Sequence, residues 1–525
     1  MKHGLRQSMA WLHTWAGLVF GWLLFAIWLT GTLAYFKEEI SHWAHPEIPV
    51  RALDSRASVA SAQAFMQRHV PDAQRWFVSL PSARNPQMEI MYQDPGKAGR
   101  GGFSRQLVDP LDGEVQHTRA SRGGEFFYRF HFELQMGYPW GRWLASAAAF
   151  VMFFTLVSGI ITHKKIFKEF FTFRPGKAQR SWLDGHNAIG VLILPFHLLI
   201  SYSSLVIFMA MVMPASILSS YHGDINQFYA DVFPSPPATV GTATPAPMLP
   251  LARLYDQAML QSPGAAISRF EVANAGNSDA TVEFTREAAD SIAYRPGNGL
   301  VLSAITGALL SAEQPNPLPM LVSGGFYGLH MAHFAGPVLR WLYFLGGIGG
   351  TLLIGSGLVM WLNKRQLKHA KAGVQPFELR LVEVLNLASM AGLLWAVPAF
   401  LLANRLLPLA LAARSDWEVR AFFGAWLLSL AHALLRRGRR AWSEQLLVAA
   451  ALLAAVPLAG MLTTEQGLPS AMARGDWAMA GVDLTALGVA SLMLWGVRKL
   501  RNGNPVRKRQ RVTRDVPLID GEGSR

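Results

Sequence analysis

Four histidines of the chain fall into matched pairs, and an imidazole can move a proton, hold a metal ion or ligate an iron porphyrin. His13 opens the stretch His13-Thr14-Trp15-Ala16-Gly17, and His186 opens His186-Asn187-Ala188-Ile189-Gly190. His131 ends Tyr128-Arg129-Phe130-His131, and His330 ends Tyr327-Gly328-Leu329-His330. Gly137, Arg142-Trp143 and Ser158-Gly159 follow His131; Gly336, Arg340-Trp341 and Ser356-Gly357 follow His330. The two series differ in spacing by a single residue, so the chain carries an internal repeat. It contains no cysteine. That excludes a disulfide frame, a thiolate nucleophile, an iron–sulfur cluster and covalent c-type haem attachment. Any metal or haem here relies on His, Met, Tyr or carboxylates.

A lone histidine at a membrane interface is more often structural than a ligand, so the argument rests on the set. His13 and His186 lie at equivalent depths near one face, and His131 and His330 near the other. Two like-placed imidazoles from different helices are what an iron porphyrin needs in a bundle core. Gly17 and Gly190 lie one turn from their histidines on the same helix face, which leaves room for a flat macrocycle; close helix packing by small residues is the plainer explanation. His197, eleven residues after His186, returns to the same face about 16 Å further along a straight helix. It reads either as a ligand deeper in the bilayer or as a buried group on a carbonyl freed by Pro195. His333 shares a face with His330 and reads as a ligand, a neighbour of one or a substrate contact. His163 reads as interfacial. His3, His42, His45, His69, His117, His222 and His369 read as loop or surface residues.

Helices across a bilayer must position these groups. Of the 525 residues, 51% are hydrophobic and only 16% charged, a membrane composition. Spans of roughly 20 apolar residues are expected near 12–36, 142–163, 185–213, 338–362, 380–403, 419–435, 445–463 and 478–497. The net charge of +14 does not indicate nucleic acid, because the basic residues cluster beyond the span ends. Lys164, Lys165, Lys168 and Arg174 follow the second span; Lys364, Arg365, Lys368 and Lys371 the fourth. Arg436, Arg437, Arg439 and Arg440 follow the sixth; Lys499, Arg501, Arg507, Lys508 and Arg509 the eighth. One alternating topology puts every cluster on the same side, so a multi-pass protein of the bacterial inner membrane with both termini cytoplasmic is expected. The first apolar stretch follows Lys2 and Arg6, is longer than a signal h-region and reads as an uncleaved helix.

The expected architecture is an all-α membrane bundle of about eight spans, the first four as two repeated halves, with two outer α+β domains. Its parts are the first span, 1–36; an outer domain, 37–141; spans two and three, 142–213; a second outer domain, 214–337; span four with a cytoplasmic loop, 338–372; appended spans five to eight, 373–500; and a basic tail, 501–525. The first outer segment predicts a helix at 59–69 and strands at 75–80, 87–92 and around the turn within 106–115. The second predicts a Pro/Thr-rich linker at 234–250, a helix at 251–261 and strands at 267–272 and 280–285. With straight spans, His13 and His131 would stand more than about 30 Å apart. Breaks at Gly137, Pro139 and Gly141, and at Gly336 and Pro337, offer to fold the outer histidines back over the bundle; His197 offers to bridge the gap instead. Every candidate ligand precedes residue 372, so truncation there is expected to spare the site, with His432 the first suspect if it does not. No Gly-x-Gly-x-x-Gly follows a strand, so the electron donor is expected to be a separate cytoplasmic protein or a quinol.

These residues resemble the PepSY-associated transmembrane family over roughly 8–365. The likeness rests on His13/Gly17 with Thr30-Gly31, on Val108-Asp109-Pro110-Leu111-Asp112-Gly113-Glu114-Val115, on His131, on His186/Gly190/Pro195, and on His330 through Gly336 to Arg340. The Asp-Pro and glycine turn between strands resembles the hallmark of the PepSY domain, so the outer domains are expected to be PepSY-like and periplasmic. The resemblance implies a b-type dihaem oxidoreductase similar to siderophore-iron reductases, passing electrons to a periplasmic ferric siderophore or other iron chelate. It implies His13, His131, His186 and His330 as haem-iron ligands. Two rival classes stand beside it: a membrane-anchored PepSY protein that binds peptides or regulates proteases without redox activity, and a siderophore or metal transporter, since internal repeats are also a transporter feature.

Overall fold

The computed structural model describes residues 4–97, 102–163, 173–174, 179–232, 244–264, 266–287, 291–293, 299–312, 317–369 and 375–502. Lys164, Lys165, Lys168, Lys371, Arg507, Lys508 and Arg509 of the basic clusters, and most of the Pro/Thr-rich linker, lie outside the described residues.

Seven helices are long and apolar enough to cross a membrane, or eight if one bent pair counts as a single span. This is a multi-pass membrane protein. In chain order the first half holds α1 (Leu5–Ala34), α2 (Lys37–Ala44), α3 (Ser55–His69), strands β1 (Trp76–Ser79), β2 (Met88–Gln93) and β3 (Phe103–Val108), then α4 (Glu125–Glu133) and α5 (Trp140–Thr162). The second half repeats the plan: α6 (Gln179–Leu192) and α7 (Leu194–Ile207), then α8 (Leu251–Gln261), β4 (Ile267–Ala273), β5 (Thr281–Arg286), β6 (Gly299–Ser303), β7 (Leu309–Ser311), α9 (Leu318–Met331) and α10 (Pro337–His369). Four more membrane helices follow: α11 (Phe377–Leu406), α12 (Arg414–Leu435), α13 (Gly438–Thr463) and α14 (Trp477–Asn502).

The segment expected as a single spanning helix at 185–213 is broken in two. It is α6 and α7, bent by 67° at Ile193. Pro195 sits in the first turn of α7. It has no N–H to continue the ladder, and its ring crowds the carbonyl four residues back. The entries to spans two and four are broken too. Leu134 and Ala332 adopt left-handed conformations at the ends of α4 and α9, and both helices turn back against the bundle. Glycine makes the close packing possible. A Cβ on Gly350 of α10 would overlap the indole of Trp28, and one on Gly347 the hydroxyl of Thr32, so α10 approaches α1 only without those side chains.

The two segments expected as α+β domains, 37–141 and 214–337, are joined through their strands. Their strands form one antiparallel sheet ordered β3-β2-β1-β4-β5-β6-β7. The join is β1 against β4, with Trp76 opposite Val272 and Val78 opposite Phe270. Each unit alone would expose its first strand as an unpaired edge, and pairing the two edges satisfies both. Helices α3 and α8 cover one face. Val59, Phe65, Met66, Met88, Ile90, Leu254, Phe270, Phe284 and Leu302 make one shared core beneath them. The Gln63 side chain accepts from the Leu251 backbone N–H at 2.7 Å, and Arg56 pairs with Asp256 at 2.8 Å across the two helices. The expected strands at 75–80, 87–92, 267–272 and 280–285 appear within a residue or two of those bounds, whereas β6 and β7 were not anticipated.

Candidate functional site

The four paired histidines converge in two places. The rings of His13 on α1 and His186 on α6 have centroids 6.4 Å apart with planes at 82°. Those of His131 on α4 and His330 on α9 are 6.1 Å apart at 30°. The pairings expected from the repeat, His13 with His186 and His131 with His330, are therefore the contacts observed. The fold-back of α4 brings the second pair in beside the membrane helices, because His131 reaches Ile27, two turns before the end of α1.

Each ring is anchored through Nδ1. His13 Nδ1 lies 2.8 Å from the Thr155 carbonyl, and His131 Nδ1 lies 2.8 Å from the Ile27 carbonyl. A carbonyl only accepts, so both Nδ1 atoms carry the proton. His186 Nδ1 lies 2.9 Å from Ser356 Oγ, and His330 Nδ1 lies 2.9 Å from Ser203 Oγ. Ser356 spends its own proton on the Leu353 carbonyl at 2.9 Å, and Ser203 on the Leu199 carbonyl at 2.6 Å. Each serine therefore accepts from the imidazole. In all four rings the lone pair falls on Nε2, the arrangement in which a histidine serves as a metal ligand while its other nitrogen is held by an outer partner.

The anchors repeat as the histidines do. Ser158 donates to the Thr155 carbonyl at 3.0 Å, as Ser356 does to Leu353. Thr30 donates to the carbonyls of Ala26 and Ile27, as Ser203 does to Leu199 and Ile200. In both pairs the first-half histidine takes the carbonyl and the second-half histidine takes the hydroxyl. These partners were missed at the level of sequence. Ser158-Gly159 and Ser356-Gly357 were visible as repeats, and a small hydroxyl residue recurring a fixed distance from a repeated histidine was the available signal.

The donor set fits a porphyrin. Two imidazoles on opposite sides of a metal, at a metal–nitrogen distance of about 2.0–2.1 Å, put their ring centroids roughly 6 Å apart. Both pairs have that separation. No group of three or more His, Cys, Asp or Glu that could hold a bare metal ion occurs among the described residues; a porphyrin brings four nitrogens and asks the protein for two. His131 and His330 line a cavity of about 100 Å³. Its lining is mainly apolar, including Leu24, Ile27, Trp28, Met152 and Ile200, with a polar part made by Lys37, Glu38, Arg84 and His333. Such a lining suits a flat apolar ligand with polar edges. Gly31 is needed here, since a Cβ on it would lie 2.5 Å from His131 Nδ1. Around the inner pair, a Cβ on Gly17 would meet only Thr155, at 4.0 Å, while one on Gly190 would touch Leu353 at 3.4 Å. Gly17 thus leaves space, and a methyl at Gly190 would fit in ordinary contact with Leu353.

The remaining histidines separate by their partners. His197 on α7 is fully buried, and neither of its nitrogens has a hydrogen-bond partner among the described residues. Its ring meets Trp28 edge-on at 5.5 Å and no other imidazole. His163 takes a hydrogen bond from Asn187 at 3.1 Å. In the appended helices, His432 is engaged at both nitrogens, by Glu444 at 3.0 Å and Gln445 at 3.2 Å. His42 and His45, expected at the surface, are buried. His42 Nε2 pairs with Asp476 at 2.7 Å, and His45 Nδ1 lies 2.9 Å from the Ser41 carbonyl. Asp476 is remote in sequence, so nothing near His42 announced the burial.

Comparison with known proteins places the chain. The family model described as the PepSY-associated TM region matches residues 10–364. An uncharacterized protein of Pseudomonas aeruginosa is 27% identical over 387 residues, covering 70% of this chain and 93% of the relative.

Proposed function

We propose that this chain, which belongs to the PepSY-associated TM region family, is a b-type dihaem oxidoreductase of the bacterial inner membrane that hands electrons to a periplasmic ferric chelate. The observation that carries the reading is two pairs of histidine rings, with centroids 6.4 and 6.1 Å apart, each ring held through Nδ1 so that its lone pair is left on Nε2. His13 and His186 would hold one haem and His131 and His330 the other. When bound, haem supplies an iron that takes up and gives back one electron.

The protein's part is to hold, orient and bury. The Thr155 and Ile27 carbonyls and the Ser356 and Ser203 hydroxyls fix each imidazole tautomer and make Nε2 a stronger donor. The apolar walls exclude water, and Gly31 keeps the space that His131 occupies. In this reading the basic clusters mark the cytoplasmic side, so the His13–His186 pair would lie near the cytoplasm and the sheet, as two joined PepSY-like units, would lie in the periplasm. A membrane quinol or a cytoplasmic reductant is oxidised, and the chelated Fe(III) gains one electron to become Fe(II). Oxygen chelators hold the lower charge more weakly, so iron is released. The polar part of the cavity at Lys37, Arg84 and His333 faces the acceptor in this scheme. A siderophore is the natural chelate class. An anchor for peptide-binding domains has no use for ring nitrogens arranged in this way, and a transporter gathers its polar groups near the midplane.

The test is single-turnover reoxidation. Protein reduced with dithionite, freed of excess and mixed anaerobically with a ferric hydroxamate should lose its reduced haem bands and yield Fe(II), trapped by a ferrous-specific chromophore, in about one-to-one ratio with the electrons lost. His333→Ala should slow this step more than it lowers haem content. Reduced protein that stays reduced in excess ferric chelate would contradict the proposal.

A further inference from the structure

The appended helices carry no candidate ligand, yet they grip the element that carries one. Helix α4 buries Phe126, Phe127 and Phe130, each nearly inaccessible, on a face adjoining the one that carries His131. Phe126 stacks on Phe400 of α11 at 4.6 Å and meets Phe422 of α12 at 5.0 Å. Phe127 meets Phe400 at 5.2 Å, and Phe130 meets Phe422 at 5.6 Å. The segment leading into α4 is held by the same two helices. Glu418 accepts from the Ser121 hydroxyl at 2.9 Å and the Arg122 backbone N–H at 3.0 Å. Arg414 donates to the Ala120 carbonyl at 2.9 Å, and Arg119 donates to the Asn404 carbonyl at 2.8 Å. One turn past Phe127, His131 reaches the Ile27 carbonyl.

The repeat supplies the comparison. Helix α9, which carries His330, is covered less: Gly325, Phe326 and Leu329, at the positions equivalent to Phe126, Phe127 and Phe130, are only partly buried, and Phe326 meets Tyr202 of α7 rather than α11 or α12. Of two equivalent ligand helices, only α4 is clamped by α11 and α12.

We propose that α11 and α12 set the position of His131 and hence the axial ligation of the outer haem, with Phe400 and Phe422 as positioning residues. This rests on the dihaem reading. It revises the expectation that truncation near residue 372 would leave haem binding intact: the inner site would survive and the outer one would not.

The test uses the full-length chain with Phe400→Ala and Phe422→Ala combined. The outer haem should turn high-spin or be lost, with a changed midpoint potential, while the haem of His13 and His186 keeps its low-spin spectrum. Phe422→Leu on its own should retain most of the outer signal. A second measurement needs no haem. A Cβ at position 31 would lie 3.1 Å from His131 Cγ, so Gly31→Cys with His131→Cys falls within disulfide reach. The chain has no other cysteine to interfere. This cross-link should form readily, and about fivefold or more slowly when the two phenylalanines are removed, as a loss of about 1 kcal/mol in seating would give. An unchanged outer spectrum with unchanged cross-linking overturns the proposal, and so does equal loss of both haems. A colourless wild type would end the dihaem reading instead, and the cross-link rate would still report whether α11 and α12 seat position 131.

Discussion

His186→Ala is expected to strip the inner haem and leave the outer one intact, lowering haem content from about two per chain to about one. Removing an axial imidazole opens a coordination position, and the haem is then lost or becomes high-spin. The partner ring cannot compensate, because His13 is tied by Nδ1 to the Thr155 carbonyl and presents a single Nε2. His13→Ala should give the same spectrum. His131→Ala and His330→Ala should give the complementary one, with only the outer haem affected. His197→Ala distinguishes the two readings of that residue. Its nitrogens meet no second imidazole, so both haems should persist in the variant. Haem quantification with reduced-minus-oxidised spectra across the variants is the check, and a single substitution that removes both haems equally would contradict the pairing.

Glu418→Ala is expected to cost about 3–5 kcal/mol, the range for breaking a buried ion pair by removing one partner. Glu418 and Arg414 are 3.0 Å apart, and both side chains are fully inaccessible. Glu418 also accepts from Asn404 at 2.9 Å, so its loss leaves a buried guanidinium and several polar groups unmatched. Glu418→Gln keeps an acceptor oxygen and should cost clearly less. Thermal or denaturant unfolding in detergent measures both; a loss below about 1 kcal/mol for the alanine variant would mean that water reaches the pair.

What the sequence disclosed and what it withheld divide along physical lines. The histidine pairs were readable because the repeat fixes which residues are equivalent, and equivalent residues of a pseudo-symmetric bundle meet near its axis. The turn-back of α4 was readable as a possibility, because Gly137, Pro139 and Gly141 interrupt the apolar pattern. The anchors at Thr155 and Ile27 were not, since a backbone carbonyl has no signature in residue type. The join of β1 to β4 was hidden for another reason: each strand alternates in the same way whether its edge is free or paired. The grip of α11 and α12 on α4 was hidden because Phe126, Phe400 and Phe422 look like ordinary membrane apolar residues. Only the fold shows that they form one cluster beside a ligand. Strand β6 is buried on consecutive residues rather than alternately, and β7 has only three residues, so neither showed the period of two.

The most direct test of the account is the colour of the purified full-length protein after haem-replete expression. The account predicts about two b-type haems per chain, with low-spin reduced-minus-oxidised bands from two bis-histidine sites. Protein that is folded, monodisperse and colourless would contradict it, whatever its activity toward iron chelates.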